Sequence, residues 1–366
     1  MKYSKRRRDL LLSDDQVEVN SKPYMTFDEA LEAYISSHSA KGDSKYTMKN
    51  YRSVIRRFSR YMADIRGHIT VDQVSEPDVD AWLSELRLLK SSRGKPYSSH
   101  SIQTYCRDVL IFFHWLVDHG HLEMNPLDGM SQPKVEKHLI RVFTESDLKR
   151  LDAACDFHNG KNYTPDERKA LAARDRAILW LLLSTGMRCA EMRGILFKDV
   201  DFKEGLIYIR GKGAKERRVP LGKIARQHLT TYINYWRGGS AGPDDHIFLT
   251  VFGTPIQATA IGNMFRRLQM VSGIVDKRVS PHTCRHWFAV NCIKNGMPTV
   301  ALKEILGHEN WDMIEVYVRL AEQDKTLIYH KFSPVDNLSM HHSPKTSREK
   351  AREWRKEVRR KGGDKE

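Results

Sequence analysis

The sequence is poor in cysteine and has no long apolar segment. Its 366 residues include five scattered cysteines without a CxxC pair, so a disulfide framework is not expected. No apolar run approaches the roughly 20 residues that a membrane-spanning helix needs. The basic N-terminus also has too few leucines for the apolar region of a secretory signal. These absences predict a cytoplasmic protein that has no membrane partner.

Acidic residues are outnumbered by basic ones. There are 61 Lys and Arg residues against 46 Asp and Glu residues, which gives a formal net charge of +15. Such an excess favours polyanionic partners, nucleic acid first and acidic membrane surfaces second. A ribosome-associated or simply soluble basic protein remains an alternative that net charge alone does not separate. The length allows about two domains.

The first part of the chain predicts a small helical domain. After a flexible basic arm at residues 1–23, four amphipathic helices are expected within residues 24–124, with starts near Thr26, Thr47, Ser75 and Ser99. Four such helices form a bundle. Basic residues outside its predicted apolar faces form a candidate DNA-binding surface: Lys49, Arg52, Arg56, Arg57, Arg60, Lys90 and Arg93.

Residues 125–142 contain Pro and Gly without an amphipathic period and are predicted to be an interdomain linker. The second domain, residues 143–333, is expected to be mostly α with one small three-stranded β-sheet. Its predicted strands are Val200–Phe202, Gly205–Ile209 and Arg217–Leu221, and Ile247–Leu249 is a further short candidate. Residues 334–366 form a basic tail with a marginal predicted helix.

The most informative stretch is residues 280–320. Ser280 and Pro281 predict a helix start whose free amides attract anions. His282 and Arg285 then share a face one turn apart, and the Arg fork suits phosphate oxygens. A second helix then leads to His308, and a third carries Tyr317. A buried, satisfied His and a surface Arg would be the plainer interpretation of the first pair.

Zinc is a weaker hypothesis for this stretch. His282, Cys284, His286 and Cys292 lie close together in the sequence. Only the two histidines share a helix face, at i and i+4, and no HExxH pattern or repeated ligand pair is present. A metal site is therefore not expected.

Two further clusters complete the set. A Gly turn in Thr185–Glu191 presents Arg188, and Glu191 follows one turn later, although an ordinary surface pair would look the same. Lys212 and Lys215 lie at a Gly-rich hairpin tip, which could equally be a solvated turn. No P-loop is present, because no GxxxxGK[ST] motif leads into a helix.

Together, the segments TGMRCAE, GKGAKERRVPL, HTCRH and LGH, followed by Tyr317, resemble the tyrosine recombinase (phage integrase) family in order and spacing. The resemblance spans residues 24 to 333. It implies a helical core-binding (SAM-like) domain followed by a catalytic domain, which together clamp double-stranded DNA. It also implies a homo-tetramer on two recombination sites and no cofactor.

The resemblance also implies roles for individual residues. Tyr317 would attack the scissile phosphate and form a 3′-phosphotyrosyl bond. His282 would assist proton transfer at Tyr317, and Glu191 would support the site. The remaining catalytic residues would be Arg188, Arg285 and His308, which stabilise the transition state, and Lys212, which protonates the leaving 5′-oxygen. Lys215 competes with Lys212 for that last role and is also a candidate DNA contact.

Physical chemistry agrees with these roles. A phenol with a pKa near 10 needs neighbouring cations to ionise, and two arginines can replace the metal that many nucleases use. The family pattern is broken by Cys284, by Cys189 and by Ile314–Val316, where a Thr is usual. The first two are interpreted as packing residues.

The sequence thus predicts a site-specific DNA recombinase, such as an integrase, a transposase or a Xer-like resolvase. A type IB topoisomerase and a catalytically inactive DNA-binding regulator are the alternatives. Whether the enzyme integrates, excises, transposes or resolves dimers stays open.

Overall fold

The computed structural model describes residues 24–91, 94–135, 140–158, 163–210, 216–307, 311–321, 333, 351–352 and 354–356. The chain divides into two units, residues 1–138 and 139–366. Across these described ranges, no helix combines the length and the apolar character that crossing a membrane would require. The predicted N-terminal arm, the tip of the hairpin and most of the predicted tail lie outside the described residues, although 351–352 and 354–356 are helical.

The N-terminal unit contains the four predicted helices. They are α1 (Phe27–Ala40), α2 (Lys45–Tyr61), α3 (Glu76–Leu88) and α4 (Ser99–Asp118). Thr26 begins α1 with the predicted capping box, in which its side chain and that of Glu29 bond to each other's backbone amides. The prediction for α2 started too late, because Ser44 accepts a hydrogen bond from the Thr47 amide and caps a helix that begins at Lys45.

Two short turns in this unit were not predicted. A π-helical turn, Met62–Arg66, extends α2 and ends at a left-handed Gly67, and a 3₁₀ turn follows at Val71–Gln73. The apolar periodicity of α2 continues smoothly into Met62, so the sequence shows no sign of the wider turn.

The core of the N-terminal unit is aromatic. Tyr34, Phe58, Trp82 and Phe112 are at most 2 % exposed and contact neighbouring aromatic rings largely edge to face, which is the favourable arrangement for such rings. Leu127 is buried in the same core. The packing of this unit therefore continues into the segment predicted as a linker.

Between Glu145 and Ala321, the described residues of the second unit form eight α-helices and one sheet. The helices are α5 (Glu145–Ala154), α6 (Pro165–Thr185), α7 (Cys189–Arg193), α8 (Lys223–Tyr235), α9 (Ala258–Ser272), α10 (Pro281–Lys294), α11 (Thr299–Leu306) and α12 (Asp312–Ala321). The strands are β1 (Val200–Asp201), β2 (Leu206–Arg210) and β3 (Glu216–Pro220), antiparallel in that order. The mainly α fold class and its small three-stranded sheet are confirmed.

The prediction of a further short strand at Ile247–Leu249 is wrong. Ile247 and Phe248 are buried, but they lie between two isolated bridges, Leu196 with His246 and Leu249 with Pro255. A tight turn closed by the Thr250 amide and the Thr254 carbonyl follows at once. That turn leaves no length for a ladder, so burial alone made the run look like a strand.

Helix α6 organises the second unit. It packs against α8 and α10, and its buried residues lie on most of its circumference, as expected for a helix inside a core. A second, smaller cluster joins α10, α11 and α12 through Val290, Leu302, Leu306 and Ile314. Tyr317 belongs to this smaller cluster, so its position depends on how these three helices pack.

Candidate active site

Two predicted site residues near the start of α10, His282 and Arg285, differ in their exposure to solvent. The Ser280 hydroxyl accepts the Thr283 amide at 3.2 Å and caps the helix, with Pro281 in the first turn. His282 is exposed there, whereas Arg285, one turn later, is only 4 % exposed. Although the residue is exposed, neighbouring protein atoms partly desolvate its imidazole and lower the pKa of His282, as do Arg285, Arg278 and Arg188. The imidazole of His282 is therefore neutral near pH 7.

A Gly turn presents Arg188, as predicted. Helix α6 ends at Gly186 with φ +60°, and Arg188 then precedes α7 and donates its backbone amide to Glu191 at 2.7 Å. The Arg188 guanidinium donates to the same carboxylate at 3.1 Å. Glu191 therefore fixes both the backbone and the side chain of Arg188.

Glu191 has a second partner that the sequence did not reveal. The Arg217 guanidinium on β3 forms a two-bond fork with its carboxylate, at 3.0 Å and 2.7 Å. Burial opposes ionisation of Glu191, but the bonds from Arg217 and Arg188 outweigh it and hold the pKa of the carboxyl below its usual value. Arg217 shares a strand face with the fully buried Val219. A buried Arg needs an acidic or carbonyl partner, so the position of Arg217 two residues before an apolar Val was the sequence feature that could have indicated this contact.

Three arginines converge on the C-terminal end of α11. Arg217 Nε donates to the Ile305 carbonyl at 2.9 Å, Arg285 Nη2 to that of Leu306 at 2.8 Å and Arg188 Nη2 to that of Gly307 at 3.0 Å. The last carbonyls of a helix lack partners within the helix and carry partial negative charge. The end of α11 therefore offsets part of the repulsion between three neighbouring cations.

Gly307 is favoured at this convergence. Its φ is +63°, and an added Cβ would lie 3.0 Å from Arg217 Nη1. The left-handed turn and the close guanidinium both disfavour a larger residue here. The segment that follows, with His308, lies outside the described residues.

Arg285 is anchored from two sides. Its Nη1 donates to the Gly186 carbonyl at 2.6 Å, in addition to the Leu306 bond. Burial lowers the pKa of Arg285 to about 10, and Arg188 also contributes to the lowering. The guanidinium remains a cation near neutrality, so the site holds at least two fixed positive charges.

Tyr317 lies beside these cations on α12. Its side chain is 1 % exposed. Burial raises the pKa of the phenol, and Arg285 and Arg188 oppose that rise. The resemblance assigned assistance with its proton transfer to His282. In the structure, His286 Nδ1 lies 3.0 Å from the phenol oxygen, and Arg285 also hydrogen-bonds the phenol.

The structure thus brings together Arg188, Glu191, Arg285 and Tyr317, with His282 on the same helix as Arg285. Lys212, Lys215, His308 and Arg93 lie outside the described residues. Sequence reasoning missed Arg217 and gave His286 only a metal-ligand interpretation. Its i+4 spacing from His282, on the same helix face as Arg285, was the available signal.

The predicted DNA surface lies partly on α2. Lys49 and Arg60 are exposed, whereas Arg52 and Arg56 contact Glu32 at 3.1 Å and 3.5 Å. The remaining two described candidates are Arg57, which hydrogen-bonds the Tyr97 hydroxyl and lies over its ring, and Lys90, which is exposed. The face is basic, but two of its charges are already shared with an acidic residue.

Metal ligands are not assembled in the described ranges, where no group of three or more His, Cys, Asp or Glu side chains is placed to hold an ion. Cys284, one of the zinc candidates, is fully buried in the main core. Burial also raises the pKa of its thiol. It is a packing residue.

Comparisons with known proteins identify the family of the chain. Residues 141–324 match the model of the phage integrase family, and residues 31–94 match that of the phage integrase N-terminal SAM-like domain. Tyrosine recombinase XerC of Salmonella typhi is 31 % identical over 246 residues, which cover 66 % of this chain and 77 % of that protein. Tyrosine recombinase XerD of Listeria monocytogenes is 28 % identical over 297 residues, or 80 % of this chain and 94 % of that protein.

Solved structures share the fold. The Tn1549 transposon integrase in complex with circular intermediate DNA gives a TM-score of 0.61 at 22 % identity, covering 80 % of this chain and 95 % of that one. A lambda integrase dimer bound to a core site gives 0.62 at 18 % identity, covering 82 % and 79 %. From its matched residues, its close relatives and its fold, this chain belongs to the tyrosine recombinase (phage integrase) family.

Proposed function

We propose that this chain is a site-specific DNA recombinase that cuts and rejoins strands through a covalent bond between Tyr317 and a DNA 3′-phosphate. The observation that carries this is the convergence of Arg188 and Arg285 on the end of α11, beside the phenol of Tyr317. Two fixed guanidiniums and one phenol suit phosphoryl transfer, because they pair a grip on the phosphate with a nucleophile.

In the proposed reaction, the Tyr317 oxygen attacks phosphorus, its proton is transferred with the assistance of the neutral His282 imidazole, and the bond from phosphorus to the 5′-oxygen breaks. Arg188 and Arg285 offset the negative charge that develops on the nonbridging oxygens. They are held by backbone carbonyls and by Glu191, so little reorganisation is needed. Lys212 supplies the proton for the leaving 5′-oxygen, and His308 adds a further donor. The phosphotyrosyl bond conserves the energy for rejoining, so no cofactor is consumed.

The DNA partner and the assembly are part of the same proposal. Exposed cations on α2, including Lys49 and Arg60, would contact phosphates of a double-stranded recombination site. The proposed assembly is four copies on two sites. Support comes from a lambda integrase of the same fold that was solved as a tetramer on a Holliday junction, with a TM-score of 0.61. We further propose that the enzyme acts on the DNA of a mobile element, which the likeness to the Tn1549 transposon integrase supports.

The test is the Tyr317→Phe variant on a nicked suicide substrate, in which the cut strand cannot be rejoined. Wild-type protein should form a covalent adduct that migrates slowly in a denaturing gel. The variant should bind the same DNA with similar affinity and form no adduct, because only the phenol oxygen is lost. A normal adduct yield from Tyr317→Phe would refute the assignment of the nucleophile.

A further inference from the structure

We propose that His286 is a positioning residue for the nucleophile, which holds the Tyr317 phenol at the arginine cluster by accepting its only proton in a hydrogen bond. This inference rests on the proposed function of Tyr317. It concerns the last residue of the HTCRH segment, to which the resemblance assigns no role.

The geometry carries the inference. His286 Nδ1 lies 3.0 Å from the phenol oxygen, within the range of a good hydrogen bond. The two ring centres are 5.6 Å apart and tilted by 56°. His286 belongs to α10 and Tyr317 to α12, and the two helices pack against each other. The contact therefore joins the helix that carries Arg285 to the helix that carries the nucleophile.

The protonation state of His286 defines its role. Burial lowers its pKa to about 4, and the neighbouring His282 and Arg285 contribute to the lowering. The imidazole is then neutral near pH 7, and one of its ring nitrogens can accept a hydrogen bond. Such a weak base does not take the proton of a phenol whose own pKa is raised by burial. In the proposed arrangement, Nδ1 is the unprotonated ring nitrogen, and His286 accepts the hydrogen bond that orients the phenol.

The direction of this hydrogen bond matters for attack. A phenol has one proton and retains lone pairs on its oxygen when that proton is donated. Donation to His286 would turn the proton toward α10, the helix that also carries Arg285, which hydrogen-bonds the phenol as well. The oxygen also lies within the electrostatic influence of Arg285 and Arg188, which both favour its ionised form. The contact therefore holds the nucleophile at the cations that would grip the phosphate.

The experiment compares His286→Leu with His286→Asn in the full chain. Leu keeps a side chain of moderate size without an acceptor, whereas the Asn amide retains one close to the position of Nδ1. Single-turnover adduct formation on the suicide substrate should fall about three- to tenfold in His286→Leu, the effect of losing one orienting hydrogen bond. DNA affinity should be unchanged, and His286→Asn should recover most of the rate.

A second readout separates the nucleophile side of the reaction from the leaving-group side. A substrate with sulfur at the 5′-bridging position has a leaving group of much lower pKa and needs no proton donor. The His286→Leu defect should persist on this substrate, because it concerns the attacking oxygen. A defect that disappears there would place His286 on the leaving-group side and overturn the inference.

The matched control is His228→Leu. His228 is likewise partly buried, lies in the same unit on α8 and stacks on Trp180 with ring centres 6.0 Å apart. Its loss should leave adduct formation unchanged. The thermal stabilities of His286→Leu, Tyr317→Phe and the double variant should be non-additive if the two side chains bond each other.

The outcomes distinguish this inference from the proposed function. Absence of an adduct from wild-type protein would refute the proposed function itself. Adduct formation by the wild type, with an equal or faster rate in His286→Leu, would overturn only the positioning role. A faster rate in His286→Leu would mean that the hydrogen bond to His286 hinders attack by the Tyr317 phenol.

Discussion

Substitution of Gly186 should destabilise the second unit strongly, because an added side chain would clash with the core. A second glycine with the same backbone conformation, Gly273, separates this steric cost from the conformational cost. It ends α6 in the left-handed region, with φ +60° and ψ +13°. An added Cβ would lie 2.3 Å from Phe288 Cδ1 and 2.8 Å from Leu306 Cδ2. Gly273 ends α9 with nearly the same backbone, φ +65° and ψ +21°, and a Cβ there would meet nothing within 4 Å. The two glycines therefore have the same backbone conformation, but only Gly186 is surrounded by core side chains.

The expected magnitudes follow from that difference. Alanine in a left-handed conformation costs about 1 kcal/mol at either site. Forcing a methyl group into a packed core adds about 1–3 kcal/mol at Gly186 only. The gain from a less flexible unfolded chain is the same in both variants and cancels. Gly186→Ala should therefore lower the free energy of unfolding by about 1–3 kcal/mol more than Gly273→Ala.

The assay is urea unfolding of the full-length variants, followed by tryptophan fluorescence. Both glycines belong to the second unit, so the comparison concerns the unfolding of one structural unit. Gly186 also offers its carbonyl to Arg285 at 2.6 Å, and single-turnover cleavage should fall in Gly186→Ala but not in Gly273→Ala. Equal stability of the two variants would refute the steric reasoning.

Three further predictions concern charged groups. Arg217→Met should lower the free energy of unfolding by about 3 kcal/mol, because Glu191 loses its fork partner and the Ile305 carbonyl loses its donor. The exposed neighbour Arg218 provides the control, and an Arg218→Met variant that is equally unstable would contradict this role. Burial opposes ionisation of Asp147, but bonds from Lys277, Thr144 and Arg150 hold its pKa below the usual value. Its stabilising effect is therefore present above about pH 4 and is lost as the pH falls further. Asp147→Asn should therefore have a lower free energy of unfolding than the wild type near neutrality, and this difference should shrink in acid. Asp276→Asn, at a more exposed carboxylate, should show a smaller difference at every pH. Finally, the Lys49→Ala, Arg60→Ala double variant should reduce the slope of log affinity against log salt by about 2, if each side chain contacts one phosphate. Lys149→Ala, an exposed change on α5, should leave that slope unchanged.

Local chemistry explains why so much of the fold was predictable. Thr26, Ser75, Thr144 and Thr164 each begin a helix with a capping box, and such a box depends only on residues three apart. The sheet followed from the period-2 pattern in β2 and β3. Where the prediction failed, at Ile247–Leu249, a buried run had the composition of a strand without a partner of sufficient length. Pairing partners are a tertiary property, so composition could not supply them.

The sequence by itself determined the family and most of the helices and named the candidate reactive groups, because these reside in short motifs and local periodicities. Only the tertiary structure decided how the groups meet. It placed Arg188, Arg217 and Arg285 on three successive carbonyls at the end of α11. It also gave Tyr317 a partner in His286 where the motif suggested His282. These contacts join residues far apart in the chain and depend on the packing of α10, α11 and α12, which no local pattern specifies.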